Sequence, residues 1–157
     1  MQNDKKKDVI NLILTSVVFI IISFLGSMNA EEYYATLNLP PFSPPSFIFP
    51  IAWSIIYVLI IIGASIIEYN VPKGEKKKDA LGTYWFSFIL NALWPYTFFV
   101  FKLPLVAFFV LVALFVVVVM TAVKFFRLNK IAGLLFIPYI LWLIYAGYIN
   151  LGVVILA

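Results

Sequence analysis

Val106-Ala107-Phe108-Phe109-Val110-Leu111-Val112-Ala113-Leu114-Phe115-Val116-Val117-Val118-Val119 contains no polar side chain. It lies within an apolar run from Pro104 to Phe126. As helix, that run is long enough to cross the hydrocarbon core of a bilayer, which takes about 20 residues. The stretch reads as a membrane helix that faces lipid or serves structure alone. Outward from it, four further runs repeat the pattern, at about Val9–Ser27, Phe47–Tyr69, Tyr84–Phe101 and Ile131–Leu156. The third is slightly short but opens on Tyr84 and Trp85, aromatic anchors suited to a headgroup interface. The expected fold is all-α, an integral membrane five-transmembrane-helix bundle. It forms one domain over residues 1–157, with an external proline-rich loop at 28–46.

Composition points the same way. Of 157 residues, 64% are hydrophobic and 11% charged, too few polar groups to clothe a soluble domain of this size. The first run follows Lys5, Lys6 and Lys7 as a signal peptide would. Its apolar length is too great for one, and Ser27-Met28-Asn29-Ala30 is a weak cleavage site, so it reads as a retained span. Basic residues set the orientation. Lys5, Lys6 and Lys7, then Lys73, Lys76, Lys77 and Lys78, then Lys124, Arg127 and Lys130 fall on one side; only Lys102 falls on the other, with Glu31 and Glu32. The expectation is a multi-pass protein of a bacterial plasma membrane, its N-terminus cytoplasmic and its C-terminus outside. The net charge of +4 then needs no nucleic-acid partner, because the basic loops serve topology and contact with anionic lipid.

The chain has neither cysteine nor histidine. That removes disulfides, thiolate nucleophiles, zinc sites and imidazole acid–base chemistry, so no metal and no required cofactor are expected. Asp4, Asp8, Glu75 and Asp79 fall in water-facing loops and Glu68 near the end of the second span. No acidic group sits at membrane depth, where a proton relay or ion-coupled carrier would hold one.

Between the first two runs lies Leu39-Pro40-Pro41-Phe42-Ser43-Pro44-Pro45. Four prolines without an N–H, each biasing its predecessor towards extended backbone, preclude helix and stiffen the segment. It reads either as a semi-rigid cover over the mouth of the bundle or as an ordinary interhelical loop. After it, Pro50 falls in the first turn of a helix if Ser46 caps that helix, and Trp53 and Tyr57 lie one turn apart on a single face. In the third run, Asn91, Trp94, Pro95 and Phe98 share a face, and Pro95 leaves the Asn91 carbonyl unbonded. A partner must satisfy these groups in a low-dielectric setting, whether a neighbouring helix, a water or a ligand. The fifth run offers a matching stripe of Tyr139, Trp142, Ala146 and Ile149, with Tyr145 and Asn150 at its margins and Pro138 loosening its start. Ala146-Gly147 permits close helix approach or leaves room for a flat molecule. Packing and a ligand pocket both account for these faces.

These residues resemble the translocator protein or tryptophan-rich sensory protein family, also called peripheral-type benzodiazepine receptors. Tyr33-Tyr34-Ala35-Thr36-Leu37-Asn38-Leu39-Pro40-Pro41-Phe42-Ser43-Pro44-Pro45 is similar to the family's first-loop W-Y-x-x-L-x-K-P-x-W-x-P-P. Leu90-Asn91-Ala92-Leu93-Trp94-Pro95 with Phe98-Phe99 resembles its third-helix L-N-x-x-W-P-x-x-F-F. Pro138-Tyr139-Ile140-Leu141-Trp142 with Ala146 and Asn150 resembles its fifth-helix P-Y-x-x-W-x-x-x-A-x-x-x-N. The resemblance implies a five-helix bundle, commonly a homodimer, with a pocket under the first loop that binds porphyrins. The ligand positions it implies are Tyr34, Pro44, Pro45, Trp53, Asn91, Trp94, Phe98, Trp142 and Ala146. Trp53 and Trp142 match tryptophans implicated in light-dependent porphyrin breakdown by some bacterial members.

The chain departs from the pattern at Tyr33 and Phe42, where tryptophan is usual, and at Leu39, where the family carries lysine. The last change removes a cation that would meet a tetrapyrrole carboxylate. The C-terminal cholesterol-recognition pattern of animal members is missing too, so sterol transport is not expected. The leading expectation is a membrane receptor or sensor for porphyrin-type tetrapyrroles and similar planar apolar ligands. The alternatives are a light-dependent porphyrin-degrading enzyme, with Trp53 and Trp142 as catalytic relays, and a tetrapyrrole carrier or accessory membrane subunit.

Overall fold

The computed structural model covers residues 1–157, and all its regular structure is helical, without strands. Helix α1 (Gln2–Gly26) leads to a short α2 (Ala30–Ala35), then to α3 (Ile48–Asn70) and α4 (Glu75–Pro95). Helix α4 widens without a break into a π-helical turn at Tyr96–Val100. Then come α5 (Pro104–Leu128), α6 (Lys130–Leu134) and α7 (Ile137–Leu156). Gln2–Gly26, Ile48–Asn70, Pro104–Leu128 and Lys130–Leu156 are each long and apolar enough to cross a membrane. Helix α4 with its extension matches them in length, but it opens on Glu75, Lys76, Lys77, Lys78 and Asp79. Large apolar side chains stand exposed along these helices, Phe24 and Phe109 among them. Such surface suits acyl chains and would be a liability in water.

The polar-free stretch in α5 is more central than its composition suggests. Ala107, Leu111, Leu114, Val118, Thr121, Ala122 and Phe125 recur at helical spacing and are all buried. That face packs on α4, α6 and α7. Phe109, Val112, Val116 and Met120, on the other face, are exposed. A helix apolar all round conceals which side is core, so the lipid-facing reading holds for half of it.

Three other expectations are corrected. Tyr84 is no interface anchor: it is fully buried, and its hydroxyl shares a 2.8 Å hydrogen bond with Ser16 Oγ of α1. The α4 periodicity that places Phe88, Asn91 and Pro95 inward places Tyr84 there too. Ser46 does not cap α3, which starts at Ile48 behind Phe47 with no side-chain cap. Pro138 loosens nothing, since the expected fifth span divides at Leu135-Phe136 and Pro138 falls in the first turn of α7, where a missing N–H costs no bond. Gly133 lets α6 fold back on α5, because a Cβ there would overlap the Phe126 backbone.

A π-helical turn follows Pro95 directly, with the Phe101 N–H bonded to the Tyr96 carbonyl at 2.8 Å. The Thr97 hydroxyl lies 2.8 Å from the Trp94 carbonyl and 3.2 Å from that of Leu93. At the far end of α4, Lys77 is buried rather than set free in a loop. Its Nζ meets Glu68 Oε1 at 2.9 Å and donates to the carbonyls of Glu68 and Val71, closing the C-terminus of α3.

Candidate functional site

Helix α3 packs on α6 but only grazes α7. The two helices therefore leave an interval at the end where the proline-rich segment crosses, and aromatic rings fill it. Phe49, Trp53 and Tyr57 recur every four residues along α3 and so share one face. Trp142 and Tyr139 answer from α7. The Trp53 and Trp142 ring centroids are 6.4 Å apart with planes at 83°. Phe49 meets Trp142 edge-on at 5.7 Å, and Tyr34 of α2 meets Phe49 at 5.2 Å. Trp53 stacks on Tyr57 at 5.6 Å and abuts Tyr139 at 5.9 Å.

The segment above is fastened from below. Its prolines cannot donate, but their carbonyls accept. Tyr34 Oη donates to the Pro44 carbonyl at 2.7 Å and Tyr148 Oη to that of Pro41 at 2.7 Å. Tyr145 donates to the Phe42 carbonyl, and Asn38 Nδ2 to that of Leu156 at 3.2 Å. Pro40 is buried against Gly152 of α7, so closely that a Cβ on the glycine would overlap the proline ring. Phe42, at the tip, takes φ 64° and is 90% exposed. A bulky residue in the left-handed region carries strain, held here by the bonds on either side. Burial pushes the Tyr34 phenol above its ordinary range, against a smaller opposing effect of a hydrogen bond with Ser43. Tyr34 therefore stays protonated, and a donor, at neutral pH.

Deeper in the bundle Asn91 joins three helices. Its Oδ1 accepts from Tyr57 Oη at 2.6 Å and Ser23 Oγ at 3.3 Å, and its Nδ2 donates to Tyr139 Oη at 2.8 Å. Asn91 is thus satisfied by its neighbours, and through Tyr57 and Tyr139 it holds two walls of the ring cluster in place. Trp94 stacks on Phe98 at 5.2 Å, and its Nε1 donates to Asn150 Oδ1 at 3.0 Å. Asn150 in turn donates to the Pro104 carbonyl at 2.8 Å. The Trp142 indole N–H differs: it is buried and has no partner.

Of the nine expected positions, Tyr34, Trp53 and Trp142 therefore gather beneath the crossing segment, to which Pro44 belongs, with Asn91 behind them. Trp94 and Phe98 form a second cluster with Tyr33 and Phe99. Ala146 is buried on α7. Pro45 is exposed, and its carbonyl accepts the Ile48 N–H that starts α3. Phe49 was not among the nine, although its spacing from Trp53 and Tyr57 marks it. The tyrosines Tyr145 and Tyr148 that fasten the segment gave no such signal, because their acceptors are backbone carbonyls over 100 residues away in sequence. Two surface grooves, of about 370 and 310 Å³, lie elsewhere, one on the polar start of α4 and one between α5 and α7. Neither includes an expected ligand residue.

Comparison with known proteins gives a consistent result. The profile of the TspO/MBR family matches residues 11–156. The "Tryptophan-rich protein TspO" of Chlorobaculum tepidum is 30% identical, over 92% of this chain and 94% of that protein. The "Tryptophan-rich sensory protein" of Cereibacter sphaeroides is 33% identical, over 78% of this chain and 75% of its own length. The "Translocator protein" of Bos taurus is 29% identical, over 86% and 85%.

Proposed function

This chain belongs to the TspO/MBR family, and on that premise we propose that it is a membrane receptor or sensor for planar, largely apolar ligands of the porphyrin type. The reading takes α4 as a fifth span, the N-terminus as cytoplasmic in a bacterial plasma membrane, and the assembly as a homodimer. One observation carries it: Trp53 and Trp142 face each other between α3 and α7 under a fastened cover. Aromatic walls with few polar groups suit a flat apolar guest. Sandwiching such a guest between two parallel rings takes roughly 7 Å, two van der Waals contacts. The indoles are 6.4 Å apart and nearly perpendicular, so one ring must turn as the guest arrives. Sensing follows naturally, because a ring that turns moves Tyr34 and Tyr145 and with them the cover.

Titrating purified protein with protoporphyrin and following tryptophan fluorescence tests the reading. Quenching that saturates in the parent and weakens in Trp53→Ala and Trp142→Ala, with helix content unchanged, supports it. Equal affinity in the parent and both variants would count decisively against it.

A second reading, light-driven breakdown of bound porphyrin, has one observation in its favour. Trp53 touches both Trp142 and Tyr57 through its ring, a chain of oxidisable side chains beside the guest. The photochemistry itself would belong to the porphyrin. Under illumination, bleaching must then exceed that of porphyrin in detergent and fall in both tryptophan variants.

A further inference from the structure

The proline-rich segment descends along α7, and its fastenings fall in order. Asn38 bonds the Leu156 carbonyl, Pro40 sits on Gly152, the Pro41 carbonyl takes Tyr148 and the Phe42 carbonyl takes Tyr145. From Leu156 back to Tyr145 is three turns of helix, about 16 Å. Phe42 thus lies well inward of the end of α7. Helix α3 fixes the depth. Its 23 residues span about 34 Å, little more than the roughly 30 Å of a hydrocarbon core. Glu68, Lys73 and Lys77 mark one end of it with charge, which puts Ile48 at the opposite boundary. Phe49 meets Trp142, one turn inward of Tyr145. The tip of the segment is therefore level with the start of α3, at the edge of the hydrocarbon.

The backbone there suits a place with little water, where irregular chain is costly unless its polar groups are satisfied. Four of the six residues from Pro40 to Pro45 have no N–H. The carbonyls of Pro40, Pro41, Phe42, Pro44 and Pro45 all accept bonds, from Ser43 Oγ, Tyr148, Tyr145, Tyr34 and the Ile48 N–H. No charged residue occurs between Glu32 and Glu68. One group stands apart. Phe42 takes φ 64° and leaves its ring 90% exposed, where glycine or asparagine would hold the turn with less strain. A phenyl ring left in water stabilises nothing. The face of α7 that carries Tyr148 continues inward as Ile144 and Leu141, both exposed, so the tip is continuous with surface that the bilayer covers.

We propose that Phe42 is a membrane anchor, its ring inserted among lipids at the boundary between headgroups and acyl chains. The partner is the bilayer itself. The segment is then held on two sides, by tyrosine hydroxyls on the bundle and by lipid at its tip.

The chain has no cysteine, so a nitroxide on Phe42→Cys reports from one place. Asn38→Cys, beside Leu156, and Ile144→Cys, on the bare face of α7, bracket it. Each full-length variant is placed in phospholipid nanodiscs. Collision of the label with oxygen, which concentrates in lipid, is compared with collision with a water-soluble nickel chelate. The oxygen-to-nickel ratio at position 42 should approach that at 144 and exceed that at 38 several-fold. A ratio at 42 equal to that at 38 puts the tip in water and overturns the proposal. A label at 42 shielded from both reagents is covered by protein, a second copy or another partner, and overturns it equally. Replacing the ring gives a test of opposite sign. Phe42→Asn relieves the backbone strain, so without an anchor hydrogen exchange at residues 36–47 in nanodiscs slows or stays the same, and either result overturns the proposal. With the anchor, exchange should quicken in Phe42→Asn and return to the parent rate in Phe42→Trp. No ligand enters either measurement, so the receptor reading stands or falls separately.

Discussion

Trp94 and Trp142 are the same side chain in two settings. In the α4 cluster the indole N–H of Trp94 is bonded to Asn150, which is bonded to the start of α5, and beside it Asn91 uses both ends of its amide on three neighbours. Under the proline-rich segment Trp142 is only partly buried, yet its Nε1 is out of contact with solvent and its N–H has no partner. Where every polar group is satisfied, the network fixes one arrangement of helices. Where one donor is left over, the fold has tolerated its cost. The contrast separates an indole tied into the network that builds the bundle from one that stands outside it.

The sharpest way to break this comparison is to remove the satisfied amide. Asn91→Leu strands Tyr57 and Tyr139 in the apolar interior and should cost about 3 kcal/mol. Thermal unfolding followed by circular dichroism in detergent would register it, and a change within error would mean that the network is slack. Next comes the same substitution in both settings. Trp94→Phe leaves Asn150 Oδ1 without its donor and should destabilise by about 2 kcal/mol, whereas Trp142→Phe removes an orphan and should stay within about 1 kcal/mol of the parent. Equal losses at the two positions would erase the distinction.

The cover can be tested separately. Gly152→Ala drives a Cβ into Pro40 and should displace the segment, a local cost of about 1–2 kcal/mol. Faster hydrogen exchange or proteolysis within residues 36–47 would register it, with the bundle's own melting almost unmoved. Tyr145→Phe combined with Tyr148→Phe deletes two fastenings at about 1 kcal/mol each and should raise the same exchange more gently. If exchange there stays as slow as in the parent, the segment is held by its prolines alone.

The smallest effect is that of pH. The folded state raises the pKa of Tyr34 by burial, so it favours the protonated phenol. The stability this supplies is complete below the ordinary tyrosine pKa of 10.0 and is lost as pH climbs through the raised value. Protection of the segment should therefore be flat from about pH 6 to 9 and fall only in stronger alkali, where a carboxylate-held cover would instead have loosened in acid.

Much of this was legible in the residues. Hydropathy located the long helices, Pro95 foretold a disturbed ladder, and the spacing of Asn91, Trp94 and Phe98 placed them on one face. Other features were not, for identifiable reasons. Val106–Val119 shows no contrast between faces, so its buried stripe could not be seen. Tyr84 has the chemistry of an interface anchor, and only the partner Ser16, 68 residues away, makes it core. Lys77 has the look of a topology charge until the end of α3 folds over it.

By itself the sequence determined that this chain is helical and built for lipid, because apolar length and the loss of donors at proline are local properties that need no partner. It also determined which polar groups had to be bonded somewhere. Only the tertiary structure decided which of them were. Asn91 and Trp94 found acceptors and donors on helices distant in sequence, and Trp142 did not, because hydrogen bonding depends on direction and separation in space.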